Sequence, residues 1–326
     1  MNNRSQSVLV GVFAGLASTI LALGSGDVSF LSIVLSACVT LPVLIAGLGW
    51  SNNAGTLAAA TAAILVAVLV TPLNALLFTA TTLAPAAWIA HLSNLSRPAE
   101  EVGGPQGQTA WYPLSGIMLQ LCGLASLSLV IAGAVTGYGE ETIRPMVDAM
   151  MTMMSEQNPD LVLEDINSDE TVAFLTRVVP ATMAAFLVMF QFAGWYVSCA
   201  IVRMSGRAKR PADFIPSDLR MPRAALLAFG GGLILELVGG VASLIGSVII
   251  GAFAGGFMMA GLAMLHNRLV QSAWRLLALW LTYMAILILF PFPLIAFLFV
   301  GMLGTARSLP PSSPGTGPTN SNNQTT

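Results

Sequence analysis

Charged side chains are scarce in this sequence. Asp, Glu, Lys and Arg make up only 9% of its 326 residues, whereas soluble domains contain about 25%. So few charges exclude an ordinary water-soluble domain, because they cannot cover a surface that faces water. Hydrophobic residues instead make up 56% of the chain, and the mean hydropathy is +0.80. The composition therefore predicts an all-α integral membrane protein, with lipid as the solvent for most of the chain.

Cysteine and the short motifs of catalysis are also scarce. The three cysteines, Cys38, Cys122 and Cys199, each lie in an apolar run without metal-ligand spacing, so disulfides and a metal site are not expected. The sequence contains no GxxxxGKS/T, HExxH or GxSxG motif and no pair of carboxylates that suggests hydrolysis. We therefore expect neither an enzyme nor a resident cofactor, and nothing indicates nucleic-acid binding.

Long apolar runs are the main feature of the sequence. A helix that spans a bilayer needs about 20 mostly apolar residues, and the runs predict a polytopic bundle of about nine or ten transmembrane helices. The count depends on residues 276–303, which predict either a short hairpin or one long helix kinked at Pro291 and Pro293. The predicted spans are residues 8–24, 28–50, 54–71, 73–93, 112–136, 174–202, 224–241, 243–265, 274–290 and 292–306.

The basic residues predict the orientation of these spans, because Lys and Arg near span ends favour the cytoplasm. With a cytoplasmic N-terminus and ten spans, 11 of the 13 basic residues fall on the cytoplasmic side. Only Arg144 and Arg177 fall on the opposite side, called here the predicted outer side. The sequence therefore predicts a multi-pass protein whose N-terminus lies in the cytoplasm.

The chain divides into four segments. Residues 1–136 contain five predicted spans, and residues 173–306 contain four or five. Residues 137–172 lie between these halves on the predicted outer side and hold nine of the fifteen acidic residues. Apolar residues at helical spacing predict an amphipathic helix over residues 141–156. The polar tail, residues 307–326, has the composition of a disordered segment.

Several stretches, taken in chain order, resemble a known family. They are LPVLIAGLGW (41–50), APAAWIAHLSNLSRP (84–98), WYPLSG (111–116), FQFAGWYVSCAIVRMSGRAKRPADF (190–214), DLRMPRAAL (218–226) and AGLAMLHNRL (260–269). Their order is similar to that in the YybS-like bacterial membrane proteins, which share domain of unknown function 2232. The resemblance spans most of residues 8–306 and implies a location in the bacterial cell inner membrane.

The helical organisation of that family is in turn similar to the substrate-binding membrane components of energy-coupling-factor vitamin transporters. This likeness implies a role in binding or transport of a small-molecule solute. The alternative is a non-transport envelope scaffold or a partner protein in membrane biogenesis, acting through residues 137–172 or the basic loop 203–223. A solute component predicts a cavity among the spans, and a scaffold predicts none.

Glu236 is the first candidate site residue, because it lies inside the apolar segment LILELVGG. A charge at the bilayer centre costs about 3 kcal/mol, so this side chain should face the bundle interior or a wet cavity. It is either a proton, cation or substrate site, or a protonated carboxyl group bonded to a neighbouring helix.

Four further residues complete the predicted substrate-binding set. Gln120 and Gln191 lie near the middle of spans five and six, where an amide either joins helices or binds a ligand. Trp195 lies one turn after Gln191 and would line the same pocket or fill the core. Arg177 begins span six on the predicted outer side, where it either reaches lipid headgroups or receives an anionic solute.

Glycines at four-residue spacing predict close helix contacts. Gly11 and Gly15 in the first span are a candidate docking surface for a membrane-protein partner, and Gly251 and Gly255 form a second such pair. The glycines that bracket Glu236, at 230–232 and 239–240, predict either a broken helix at the membrane midplane or dense packing.

Overall fold

The computed structural model describes residues 3–25, 30–137, 139–157 and 168–307. These residues form a bundle of helices with one two-stranded hairpin, which confirms the predicted all-α membrane fold. The centre of the acidic segment and most of the predicted disordered tail lie outside the described residues. The helices are α1 (Asn3–Gly24), α2 (Phe30–Cys38), α3 (Leu41–Gly49), α4 (Asn52–Leu69), α5 (Pro72–Phe78), α6 (Ala84–Ser93), α7 (Leu114–Thr136), α8 (Glu140–Gln157), α9 (Ser168–Met204), α10 (Ile215–Asp218), α11 (Arg223–Val238), α12 (Gly240–Leu269), α13 (Arg275–Ile288) and α14 (Phe292–Arg307).

Six helices in the described part of the chain are long and apolar enough to cross a membrane. They are Arg4–Gly24, Asn52–Leu69, Pro72–Ser93, Leu114–Thr136, Asp169–Met204 and Gly240–Leu269. The four other predicted spans form shorter helices, and the segment predicted as one span over 28–50 is divided into α2 and α3. Pro42 lies in the first turn of α3, where its missing N–H costs no helical hydrogen bond. The count of nine or ten complete spans therefore stays a prediction.

Residues 276–303 form two helices, which decides between the two predicted arrangements. Helix α13 ends at Ile288 and α14 begins at Phe292, with Pro291 in the turn between them. Helix α14 packs against α12 through Gly261 and Gly301, where an added methyl group would overlap the partner backbone. One continuous kinked helix is therefore the wrong alternative.

Helix α12 lies at the centre of the C-terminal half and packs against α7, α9, α11 and α14. Gly251 and Gly255 face the backbone of Ala181 and Ala185 on α9, so no side chain separates these two helices at the contact. The prediction of close packing at this glycine pair is confirmed.

Gly11 and Gly15 are also buried in a helix contact, but within this chain. A Cβ atom at Gly15 would lie 2.6 Å from the carbonyl oxygen of Ala58 on α4, and one at Gly11 would lie 2.9 Å from that of Ala54. This face of α1 is therefore occupied by α4, because small residues let the two backbones approach. The prediction that Gly11 and Gly15 form a docking surface for a partner protein is wrong.

The predicted amphipathic helix over 141–156 is present as α8. Its residues Ile143 and Val147 are buried against Val172 in the first turns of α9. Helix α9 begins at Ser168, earlier than the predicted span over 174–202, and these extra turns provide the surface on which α8 packs.

The segment between α6 and α7 contains an antiparallel hairpin, β1 (Ser96–Pro98) with β2 (Thr109–Trp111). The basic segment after α9 is held against this side of the bundle. Arg210 donates to both carboxylate oxygens of Asp213 and to the carbonyl of Tyr112, which follows β2. The basic segment is thus tied to the bundle by specific contacts.

Candidate functional site

A π-helical turn, Thr79–Leu83, joins α5 to α6 inside a transmembrane segment. Its cause is visible in the sequence, since Pro85 follows directly and has no backbone N–H. In an α-helix that N–H would bond the carbonyl of Thr81, and in a π turn the carbonyl of Ala80. Both carbonyls therefore need hydrogen bonds from elsewhere, because an unpaired backbone group in hydrocarbon costs several kcal/mol.

Side chains from two neighbouring helices provide those hydrogen bonds. Ser128 on α7 donates to the carbonyl of Ala80. Gln191 on α9 donates from Nε2 to the carbonyl of Thr81 at 2.9 Å and lies 3.4 Å from that of Thr82. The predicted interior position of Gln191 is therefore observed, and its amide joins α9 to the π turn.

Two cavities meet beside this turn. The first, of about 320 Å³, extends from the ends of α1 and α4, past Asn74, to Thr82. The second, of about 270 Å³, lies between α2, the π turn and α9, and its lining includes Gln191 and Thr40. Ser36 and Thr82 line both cavities, so the two are adjacent. We call this pair the π-turn cavity.

Polar atoms without partners lie beside the π-turn cavity. The hydroxyl oxygen of Thr40 is buried beside Gly194 and has no hydrogen-bond partner among the described residues. Gln191 uses its NH₂ group on the π turn, which leaves its Oε1 atom as a hydrogen-bond acceptor. Unsatisfied buried polar groups are uncommon in folded proteins and call for a physical explanation.

Trp195 does not line the π-turn cavity. Its indole N–H donates to the hydroxyl of Ser93 at 2.8 Å, its side chain is fully buried, and its ring packs on Phe192. Of the two alternatives for this residue, the structure favours a core position, because its one hydrogen-bond donor is already used.

Gln120 lies on the exposed surface of α7, so its prediction as a pocket residue is wrong. The buried stripe of this helix contains Ile117, Met118, Leu121 and Cys122. At about 100° per residue, Gln120 is rotated away from that stripe, which explains its exposure.

Glu236 and Arg177 are brought together at a different place, where α9, α11 and α12 meet. One oxygen of Glu236 lies 3.6 Å from Nε of Arg177, and the other accepts a 2.8 Å hydrogen bond from Ser247. Glu236 is in the last turn of α11, which ends before Gly239 with φ +81°. Neither residue lines the π-turn cavity, and the chain turns at Gly239 and Gly240, between α11 and α12.

Sequence reasoning missed Thr40, Ser36 and Thr82 in this site. The sequence signal that would have located it is TATTLAP, residues 79–85, where a proline follows three threonines within an apolar run. Asn74, near the start of α5, lines the first cavity.

A comparison with known families agrees with the resemblance noted in the sequence. The model of the family described as predicted membrane protein (DUF2232) matches residues 16–306. The chain belongs to the DUF2232 family. No curated protein and no solved structure gave a significant match. The DUF2232 description gives a membrane protein without an assigned activity, so the likeness to energy-coupling-factor components stays a prediction.

Proposed function

We propose that this DUF2232 protein is a small-solute binding component of a bacterial membrane transport assembly. The observation that supports it best is the π-turn cavity, which is lined by Gln191 and Thr40 and where the Oε1 atom of Gln191 is available as a hydrogen-bond acceptor. A solute that donates a hydrogen bond to this oxygen would gain about 0.5–1.5 kcal/mol.

The lining indicates the chemical class of the solute. The polar groups named on the wall are hydroxyls and amides, among them Ser36, Thr82 and Asn74, and no charged residue contributes to the lining in the described part of the chain. Phe78 and Phe190 add aromatic surface. An uncharged compound with hydrogen-bond donors and one apolar face fits this wall, because a charged solute would be desolvated without a counter-charge.

The position of the cavity suits capture from one side of the membrane. Asn74 lies near the start of α5, and from Asn74 to Thr82 the helix rises about 12 Å at about 1.5 Å per residue. The cavity therefore leads from the helix ends on the predicted outer side towards the middle of a hydrocarbon core about 30 Å thick.

The proposed activity is binding, without chemical conversion. The cavity wall offers no nucleophile paired with a base among the described residues, since Thr40 and Ser36 make no side-chain hydrogen bond to a basic group. Release into the cell would then depend on a partner that supplies energy, as in other multi-subunit uptake systems.

Two panels of compounds of similar size would test the proposal, one of uncharged nucleosides, monosaccharides and amides and one of charged compounds. Binding to the purified protein in detergent would be measured by thermal shift and by native mass spectrometry. We expect ligands from the uncharged panel only.

Ser36→Leu should abolish binding by filling the junction between the two cavities, and it removes no hydrogen bond of Ser36 to the described residues.

Gln120→Leu is the matched control, since it removes an amide from the exposed face of α7 and should leave binding unchanged. Gln191→Leu should weaken binding, and Gln191→Glu should retain part of it because an acceptor oxygen remains. Equal binding by wild type and Ser36→Leu, or a preference for the charged panel, would contradict the proposal.

A scaffold role is the second candidate, and the exposed methionines of α8 favour it. Met146 and Met153 present adaptable apolar side chains to the surroundings. Deleting residues 140–170 separates the two functions. A solute component keeps its ligand binding after the deletion, whereas a scaffold loses its partners.

A further inference from the structure

A second large cavity lies at the opposite end of the bundle from the mouth of the π-turn cavity. It has a volume of about 1080 Å³ and lies between the start of α1, the start of α4 and the segment that follows α9. Its wall includes Arg4 and Arg207, with Trp50 and Asn53 beside them. We call it the basic groove.

Arg207 is positioned over the groove by its contact with Trp50. Its guanidinium carbon lies 4.4 Å from the centre of the Trp50 ring, which is a cation–π distance. Lys209 donates from Nζ to the carbonyl of Trp50 at 3.2 Å, so the segment after α9 is fixed on the same residue. The cation is therefore positioned by the fold.

The positive charge in the groove has no protein counter-charge among the described residues. Arg4 and Arg207 form no ion pair there, whereas Arg210 in the same segment is paired with Asp213. Helix α4 begins at Asn52, and the N-terminus of a helix adds partial positive charge. Two cations beside a helix start favour an anionic ligand.

The same groove has an apolar wall. Val8 on α1 and Leu57 on α4 line it further along the two helices, close to the contact that Gly11 makes with Leu57. A ligand that fills the groove therefore needs an anionic end and a hydrocarbon part. These are the two parts of a phospholipid.

We propose that the basic groove binds an anionic phospholipid, with its phosphate between Arg4 and Arg207 and an acyl chain against Val8 and Leu57. The predicted orientation places the groove at the cytoplasmic leaflet, where anionic lipids and basic residues attract each other. The site is independent of the π-turn cavity and holds whether or not that cavity binds a solute.

Lipid titration with native mass spectrometry tests this site. The purified protein is titrated in detergent with phosphatidylglycerol and with phosphatidylcholine of the same acyl chains, and an apparent Kd is measured for the tightest lipid. We expect preference for phosphatidylglycerol. Each basic side chain contributes about 1 kcal/mol, so Arg4→Gln or Arg207→Gln should weaken binding about fivefold and the double variant about thirtyfold.

Arg97→Gln is the matched control, because Arg97 is an exposed arginine in β1 that does not line the groove. It should leave the apparent Kd unchanged. Equal affinity for the two lipids, an unchanged Kd in the double variant, or the same loss in Arg97→Gln would overturn the proposal.

Competition with soluble glycerol 3-phosphate distinguishes a lipid phosphate from the phosphate of a free compound. Displacement of lipid at similar concentrations would show a site for a free phosphate compound and would overturn the lipid assignment.

Discussion

Gln191 donates a 2.9 Å hydrogen bond to the carbonyl of Thr81, a residue on another helix. That carbonyl is available because Pro85, four residues later, has no N–H to offer it. One proline in α6 therefore leaves a carbonyl that a side chain of α9 satisfies. The side chain that satisfies the turn also presents its remaining oxygen as an acceptor beside the cavity.

This relationship predicts a specific coupling between Gln191 and Pro85. Gln191→Leu should lower the free energy of unfolding by about 1–3 kcal/mol, because the carbonyl of Thr81 loses its partner. In a Pro85→Ala background the new N–H can bond to this carbonyl, so the same substitution should cost about 1 kcal/mol less. Unfolding in mixed micelles, titrated with sodium dodecyl sulfate, measures all four proteins of the cycle.

Gln120→Leu is the control for this cycle, since it removes an exposed amide. It should have the same small effect in both backgrounds. Additive effects of Gln191→Leu and Pro85→Ala would show that the proline is not the reason for the hydrogen bond.

The sequence was sufficient for the membrane class and for α8. Each depends on composition or on helical spacing along a single segment. Apolar residues at positions such as Ile143 and Val147 recur with the period of a helix, so their common face was predictable before the surface that covers it was known.

The site itself depends on contacts between distant segments, which one sequence does not contain. Gln120 and Gln191 have the same chemistry and similar positions in their spans, yet only Gln191 faces inward, because the rotation of each helix depends on its neighbours. Glu236 has no basic residue near it in sequence, and its partner Arg177 comes from α9. The spacing of Gly11 and Gly15 correctly predicted a close helix contact, but it did not show that the partner is α4 of the same chain.

The contact between α1 and α4 predicts a steric effect at Gly15. In Gly15→Ala, the new methyl group would lie 2.6 Å from the carbonyl oxygen of Ala58, so the helices must separate. We expect a loss of about 1–3 kcal/mol of stability. Gly123→Ala is the matched control, because no atom lies within 4 Å of that position, and its stability should be unchanged or slightly higher. An equal loss in both variants would contradict the close contact.

The ion pair of Glu236 and Arg177 predicts a modest, salt-dependent coupling. The side chain of Arg177 is 62% exposed and that of Glu236 is 23% exposed, so solvent screens their attraction. A double-mutant cycle of Glu236→Gln and Arg177→Gln should give about 0.2–1 kcal/mol. The coupling should fall as salt is added. Glu236→Gln keeps an acceptor for Ser247, so the cycle isolates the charge. A salt-independent coupling of several kcal/mol would place the pair in the hydrocarbon region instead.

Helix α8 is predicted to be held on α9 by apolar burial rather than by charge. Val147→Ala removes two buried methyl groups, worth about 1.6 kcal/mol at about 0.8 kcal/mol per carbon. Amide hydrogen exchange in α8 should then accelerate about tenfold. Arg144→Gln should change the exchange little, although Arg144 contacts Asp169 at 2.7 Å, because both side chains are exposed and exposed ion pairs contribute little.

The contact between Arg144 and Asp169 also predicts how hydrogen exchange in α8 depends on pH. The hydrogen bond to Asp169 raises the pKa of Arg144 above its ordinary value. A raised folded-state pKa gives stability that is lost only as pH rises through that pKa, which for arginine lies far above the physiological range. Titration of Arg144 should therefore not change α8 exchange between about pH 6 and about pH 9. Loss of α8 protection at the alkaline end of this range in wild type but not in Arg144→Gln would contradict this assignment.

The last prediction concerns the two sides of the membrane. Most basic residues fall on one side in the predicted orientation and the acidic segment falls on the other, as expected when Lys and Arg are retained in the cytoplasm. In a background with Cys38, Cys122 and Cys199 replaced by Ala, single changes Glu141→Cys and Ala212→Cys place one thiol on α8 and one in the basic segment. A membrane-impermeant maleimide should label the first in intact spheroplasts and the second only after permeabilisation. Labelling of both in intact spheroplasts would show that the two segments share a side, and the basic groove would then not face the cytoplasmic leaflet alone.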